Sequence, residues 1–140
     1  MREPLFRGVS KETNEWVYGF GWFKTDYTEE YLKASGKIEQ DAVLYTNSGP
    51  VLCYLDSMGE WTGLRDNKKT DEFPDGQMIF EGDIVSYFGL KHEVLFRNGA
   101  FGWMEDGAFY SFNEMARSEF NKFEIIGNVY VNPELLEESK

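Results

Sequence analysis

Cysteine and histidine are almost missing from this 140-residue chain, at one each, and that scarcity removes several kinds of chemistry together. With Cys53 alone no internal disulfide can form, and one cysteine with one histidine cannot supply the ligands of a structural zinc centre. A serine or cysteine hydrolase would need His92 beside a specific nucleophile, and nothing around Lys91-His92-Glu93 marks one. Alternation in that segment places His92 on the solvent side of a strand. Cys53 lies in the apolar run Val51-Leu52-Cys53-Tyr54-Leu55, which argues for a buried, inert thiol rather than a nucleophile.

Long hydrophobic runs are also lacking. Charges interrupt every apolar stretch well short of the roughly 18 to 20 residues that a membrane helix requires. Met1-Arg2-Glu3-Pro4-Leu5-Phe6-Arg7 has no apolar core of the kind a signal peptide carries, so the expected location is the cytoplasm. Basic residues are outnumbered: 14 Lys and Arg against 25 Asp and Glu give a formal charge of −11, a field that repels phosphate backbones and favours solubility. Phosphate-binding loops are absent as well. Gly19-x-Gly21 begins like a dinucleotide fingerprint, but Lys24 occupies the third glycine position within a strand-like context. The oxygen-rich loop from Asp66 to Gly76 departs from a calcium loop because Lys68 takes the third position. The sequence therefore assigns no catalytic, cofactor-binding or metal-binding residue.

What the chain does have is aromatic side chains and turn signals. Apolar residues make up 41% of the sequence and aromatics 17%, enough to offset the entropy of ordering a chain of this length as one domain with a subsidiary lobe. Leu5-Phe6-Arg7-Gly8-Val9 and residues 15–23, around the polar turn 10–14, form a hairpin signature with a long aromatic second arm. Asp26 and Glu29 are spaced as a capping pair for a short helix over 27–34, closed by Gly36. Strand propensity returns over 37–46 and 51–55, across the turn Asn47-Ser48-Gly49-Pro50. Residues 65–77 form the most polar stretch and read as a loop.

Beyond that loop the chain becomes a run of short strands. Strands are expected at 84–88, 92–97, 100–105, 108–112 and 122–131, with Asn98-Gly99 and Asp106-Gly107 at points that demand two-residue hairpin turns. Five consecutive strands suffice for a small, strongly bent antiparallel barrel. Asn113 is placed to cap a brief helix, and Asn132-Pro133 opens a last helical turn. The aromatics Trp16, Tyr18, Trp22, Trp103 and Tyr110 stand out as interface candidates, since such rings supply large contact area with few rotatable bonds.

Four segments, in order, resemble a known family. They are Phe6-Arg7-Gly8 with Lys11-Glu12-Thr13 and Glu15-Trp16-Val17-Tyr18-Gly19; Thr62-Gly63-Leu64-Arg65-Asp66; Ile79-Phe80-Glu81-Gly82-Asp83-Ile84-Val85; and Ile125-Ile126-Gly127-Asn128-Val129-Tyr130 with Asn132-Pro133-Glu134-Leu135-Leu136. Together they are similar to the YopX-like proteins of bacterial phages and prophages. The resemblance implies a mainly β protein with an SH3-like barrel over about 78–131, a β-hairpin lobe with one or two short helices over about 1–64, and a short helical tail over 132–140. It also implies an intracellular protein of phage origin, and it supplies no activity and no catalytic residues. Gly63, Leu64, Glu81, Gly82, Asp83, Ile84, Val85, Gly127 and Asn128 form its motif and read as architecture: glycines where a turn or bulge excludes a side chain, apolar residues for a core, and Asp83 to accept backbone N–H groups.

The functional expectation is a non-enzymatic accessory protein that uses no cofactor and binds other proteins, of the host or further copies of itself. The alternatives are a nucleic-acid-binding β-barrel, with Lys91, Arg97, Arg117 and Lys122 as a local basic patch, and an acidic DNA mimic that blocks a host protein.

Overall fold

A computed structural model describes residues 5–25, 28–36, 41–115, 119 and 122–137. The chain is mainly β and forms two compact units, residues 1–60 and 61–140, so the boundary falls within a strand slightly before the polar loop.

In the first unit, β1 (Phe6–Val9) pairs antiparallel with β2 (Trp16–Gly19), with Val9 opposite Trp16. Ser10 organises the turn between them: its Oγ accepts the N–H groups of Glu12 and Thr13 at 3.2 and 3.3 Å. The long aromatic arm expected over 15–23 is not one strand. It breaks at Phe20, and β3 (Gly21–Lys24) leaves β1 to pair with β4 (Asp41–Thr46), which pairs in turn with β5 (Gly49–Tyr54). Gly19 permits the changeover, because any Cβ there would overlap the Tyr45 carbonyl. Ala42, Leu44 and Cys53 are fully buried on one face of this sheet.

Helix α1 (Glu29–Ser35) ends at Gly36, as the sequence suggests, with a left-handed φ of 76°. Its N-cap differs from the expectation. Thr28, not Asp26, provides the cap, and Thr28 Oγ1 accepts the Tyr31 N–H at 3.1 Å. Asp26 and the start of the strand expected at 37 lie outside the described residues.

Strand β6 (Gly59–Arg65) carries the chain onward: Gly59 and Glu60 pair with β1, while Trp61 and Arg65 oppose β7 (Met78–Phe80) in the second unit. That unit contains two three-stranded sheets. In one, β8 (Asp83–Tyr87) lies between β9 (Leu90–Glu93) and β13 (Glu124–Asn128), with a register shift between Ile125 and Gly127. In the other, β10 (Leu95–Arg97), β11 (Ala100–Glu105) and β12 (Ala108–Ser111) form a meander through the Asn98-Gly99 and Asp106-Gly107 turns.

Among the described residues no sheet closes on itself, so the five-strand barrel is replaced by these two sheets. Two interruptions explain the difference. Phe88-Gly89 is a turn, which ends the strand expected at 84–88 at Tyr87. Val94 divides 92–97: its N–H donates to the Asp83 carbonyl at 2.8 Å, its carbonyl accepts from Gly82 N–H at 2.9 Å, and the chain changes partner from β8 to β11 across it. Residues Phe112–Glu114 form a 3-10 turn whose N-cap is Ser111 rather than Asn113. Helix α2 (Glu134–Glu137) closes the described chain. Ile79, Val85, Val94, Trp103, Phe112 and Phe123 make the core, with the Trp103 and Phe123 rings 5.2 Å apart.

Candidate protein-binding surface

The motif residues are occupied in holding backbone. Gly82 takes a φ of 92° between β7 and β8, and buried Asp83 accepts the Phe80 N–H on Oδ2 at 2.8 Å, so the turn carries its own carboxylate acceptor. Ile84 and Val85 then enter the core fully buried. Gly63 has a φ of 90°, and the Leu64 carbonyl accepts the Trp61 indole N–H at 2.9 Å. At the end of β13, Asn128 Oδ1 accepts the Val131 N–H at 2.8 Å, and the Asn132 N–H donates to the Asn128 carbonyl at 2.7 Å. Gly127 leaves room for this turn, where a Cβ would press on Asn132 and Leu135. Glu81, within the same β7–β8 turn, is half-buried.

Asp66 closes the Thr62–Asp66 segment of the family resemblance, but its architectural role is one that the sequence does not mark. It opens the polar loop, yet its side chain is buried, with Oδ1 accepting N–H bonds from Gln77 at 2.9 Å and Lys68 at 3.3 Å, and Oδ2 accepting from Ile125 at 3.3 Å. One carboxylate thereby ties both ends of the loop to β13. An aspartate inside a run of charged residues carries no periodic signal, so local sequence gives no reason to separate it from its solvated neighbours.

The single histidine and cysteine are both committed to packing. His92 is not on the surface: it is 7% exposed, its ring is stacked on Trp103, and burial pushes its pKa below the usual histidine value, with the nearby Glu105 carboxylate opposing more weakly. Cys53 is fully buried, which raises its thiol pKa and suppresses the thiolate. The Tyr87 hydroxyl donates to Glu119 Oε1; this bond raises the tyrosine pKa and lowers the glutamate's, with Lys122 also bonded to Glu119 at 2.9 Å. Of the four basic residues considered for nucleic acid, Lys122 is thus ion-paired and Arg117 lies outside the described residues.

The interface aromatics divide. Trp103 is a correction: at 2% exposure it is the centre of the second unit's core, because β11 turns it inward against His92, Phe112 and Phe123. Trp16 is half-buried beneath the Arg7 guanidinium, 4.4 Å from the ring centre. Tyr18, Trp22 and Tyr110 are exposed, on three different strands.

A contiguous apolar surface lies elsewhere, on the outer face of β3, β4 and β5. Phe23, Val43 and Leu52 lie abreast across the three strands, with Tyr45 and Pro50 forming the next rung. Phe23 is 51% exposed, Tyr45 49% and Leu52 38%, and the Phe23 and Tyr45 rings sit 6.1 Å apart. An antiparallel sheet covered on one side ordinarily turns polar residues to water on the other. Here both faces are apolar, and the outer patch, on the order of 300 Å² with about 100 Å² from each of the two half-exposed rings and the rest from Leu52, Pro50 and Val43, reaches the size that marks interaction sites. Alternation alone cannot reveal such a face, since the sequence over 41–54 is apolar on both parities.

No functionally curated protein matches the chain. Among solved structures, the crystal structure of protein EF1440 from Enterococcus faecalis is similar, at 21% identity, covering 95% of this chain and 97% of that one, with a TM-score of 0.45. The model of the YopX protein family matches residues 5–137, which takes in all four motif segments and both compact units, and the chain accordingly belongs to the YopX family.

Proposed function

We propose that this YopX family member is a non-enzymatic accessory protein of phage origin that acts in the bacterial cytoplasm by binding another protein through the outer face of β3, β4 and β5. The single observation behind the proposal is that face: Phe23, Val43, Tyr45, Pro50 and Leu52 form a contiguous apolar surface on a chain that is otherwise rich in charge. Aromatic side chains of this kind anchor protein interfaces because they bury large area at small entropic cost. The formal charge of −11 favours a protein partner over a nucleic acid. A non-catalytic role is supported by the packing of His92 and Cys53 within the two cores, which removes the chain's best general base and nucleophile from solvent. In the finer fold reading that accompanies this proposal, the two sheets around Trp103 are a distorted SH3-like barrel serving as a scaffold.

The test is affinity capture from a bacterial host lysate with the wild-type chain and a Phe23→Ser, Tyr45→Ser double variant. The expected result is a defined partner retained by the wild type and lost by the variant, with both proteins showing the same cooperative unfolding. Equal capture by both, or no partner with either, overturns the proposal.

A further inference from the structure

Of the eight asparagines in the sequence, Asn98 alone is followed by glycine. With Gly99 it forms the tip of the β10–β11 hairpin, at φ of 53° and 80°, and both residues are exposed. Among the described residues no hydrogen bond engages the Asn98 side chain or the Gly99 N–H. A Cβ built on Gly99 would meet nothing within 4 Å. The Asn98 carboxamide and the Gly99 nitrogen, neighbours in the chain, are therefore both unengaged and open to water.

At the other described asparagines the corresponding groups are tied or obstructed. The nitrogen after Asn14 donates to Thr13 Oγ1 at 3.2 Å, the one after Asn47 to Thr46 Oγ1 at 3.1 Å, and the one after Asn67 to Asp66 Oδ1 at 3.3 Å. The nitrogen after Asn128 donates to the Gly82 carbonyl at 2.8 Å. Asn132 precedes a proline, which has no N–H, and its own Oδ1 accepts the Asn128 N–H at 3.3 Å. Asn113 precedes Glu114, whose side chain crowds the approach that a glycine leaves open. Asn121 lies outside the described residues.

We infer that Asn98 is a site of spontaneous covalent modification, in which the chain deamidates itself. Asparagine is a thermolabile residue, and here nothing restrains it. The deprotonated Gly99 nitrogen bonds to Asn98 Cγ, the bond from Cγ to the carboxamide nitrogen breaks, and that nitrogen leaves as ammonia, closing a succinimide ring. Water then opens the ring. Addition at the side-chain carbonyl gives aspartate at position 98, and addition at the backbone carbonyl routes the chain through Cγ as isoaspartate. Nothing is oxidised or reduced, and water is the only co-reactant. The fold accommodates the first product and not the second. Asp106-Gly107 occupies the next hairpin tip at φ of 51° and 82°, so an aspartate at position 98 suits the same turn. Isoaspartate lengthens the backbone of a two-residue turn and disturbs the Arg97–Ala100 pairing. The site is separate from the β3–β5 face, so the inference goes beyond the proposed function and can fail independently of it.

The experiment incubates the full chain in mildly alkaline buffer well below its unfolding temperature, with and without denaturing urea, and digests it under mildly acidic conditions for mass spectrometry. The peptide containing Asn98 is expected to gain about 1 Da, as two products separable by chromatography. The gain is expected at least about tenfold faster than in the peptide containing Asn47, whose following nitrogen is bonded and is not a glycine's. Because the native turn leaves the reacting groups free, the native rate is expected to lie within about tenfold of the rate in urea. Asn98→Asp is expected to melt at the wild-type temperature, and the isoaspartyl fraction of the aged wild type to melt lower. Modification at Asn98 no faster than at Asn47 overturns the inference, as does a native rate suppressed beyond that margin relative to urea. A lowered melting temperature for Asn98→Asp would overturn the claim that the turn accepts the aspartyl product.

Discussion

The imidazole of His92 lies flat on the indole of Trp103, with ring centroids 4.1 Å apart and planes 10° from parallel. Among the described residues its buried Nε2 has no hydrogen-bond partner, so the neutral ring is the form that fits this site. Protonation would place a charge inside an aromatic core. Burial accordingly holds the folded-state pKa below the ordinary value of 6.5. The unfolded chain then binds the extra proton first as pH falls, so the stability this residue contributes is full above about 6.5 and declines below it until the folded-state pKa is reached. His92→Phe keeps the stack without the titration. Chemical denaturation at a series of pH values between 5 and 8 should show the wild type losing more stability than His92→Phe on the acid side, and parallel curves would refute the assignment.

Asp66 makes a second, sharper prediction. Its carboxylate is shared by the N–H groups of Lys68, Gln77 and Ile125, and truncation would leave these donors without their acceptor. Asp66→Ala is expected to cost about 2 to 4 kcal/mol, the sum of a few charge-assisted bonds partly recovered by water. Asp66→Asn retains the shape but turns an NH2 group toward a donor, and should fall between. Urea denaturation followed by tryptophan fluorescence measures both. Asp71→Ala, in the exposed part of the same loop, should change stability by less than about 0.5 kcal/mol.

Trp103 and Phe23 provide the contrast between an aromatic residue that builds the fold and one that decorates it. Trp103→Ala removes the ring that touches His92, Tyr87, Phe112 and Phe123, and should destabilise by about 3 to 5 kcal/mol. Phe23→Ser, on the half-exposed outer face, should leave the unfolding midpoint close to wild type. Thermal melts of the two variants decide the matter, and a large loss for Phe23→Ser would move that residue from interface to core.

Much of the architecture was legible because it rests on local chemistry. Asn98-Gly99 and Asp106-Gly107 mark hairpin turns by their tolerance of positive φ, and both turns occur where the sequence places them. Gly36 ends α1, and Asp83 accepts a backbone N–H within its own turn. The candidate surface was less legible. Trp103 reads from the sequence as an interface residue and is the core, while nothing local marks Phe23, Tyr45 and Leu52 as the outer face of a sheet. Phe88 was hidden for a related reason, since phenylalanine is a strand former and nothing local marks it as a turn residue.

The sequence by itself determined the β class, the family, most hairpin turns and the exclusion of disulfide and zinc-cage chemistry. Each follows from residue identity, short-range sterics or simple counting. Only tertiary structure decided that His92 is sealed against Trp103, that Asp66 joins a loop to a strand 59 residues away, and that the arm over 15–23 changes partners at Phe20. The physical reason is that burial depends on what approaches from elsewhere in the chain. Alternation assigns a side chain to one of two faces of a strand, and long-range packing alone chooses which face is covered.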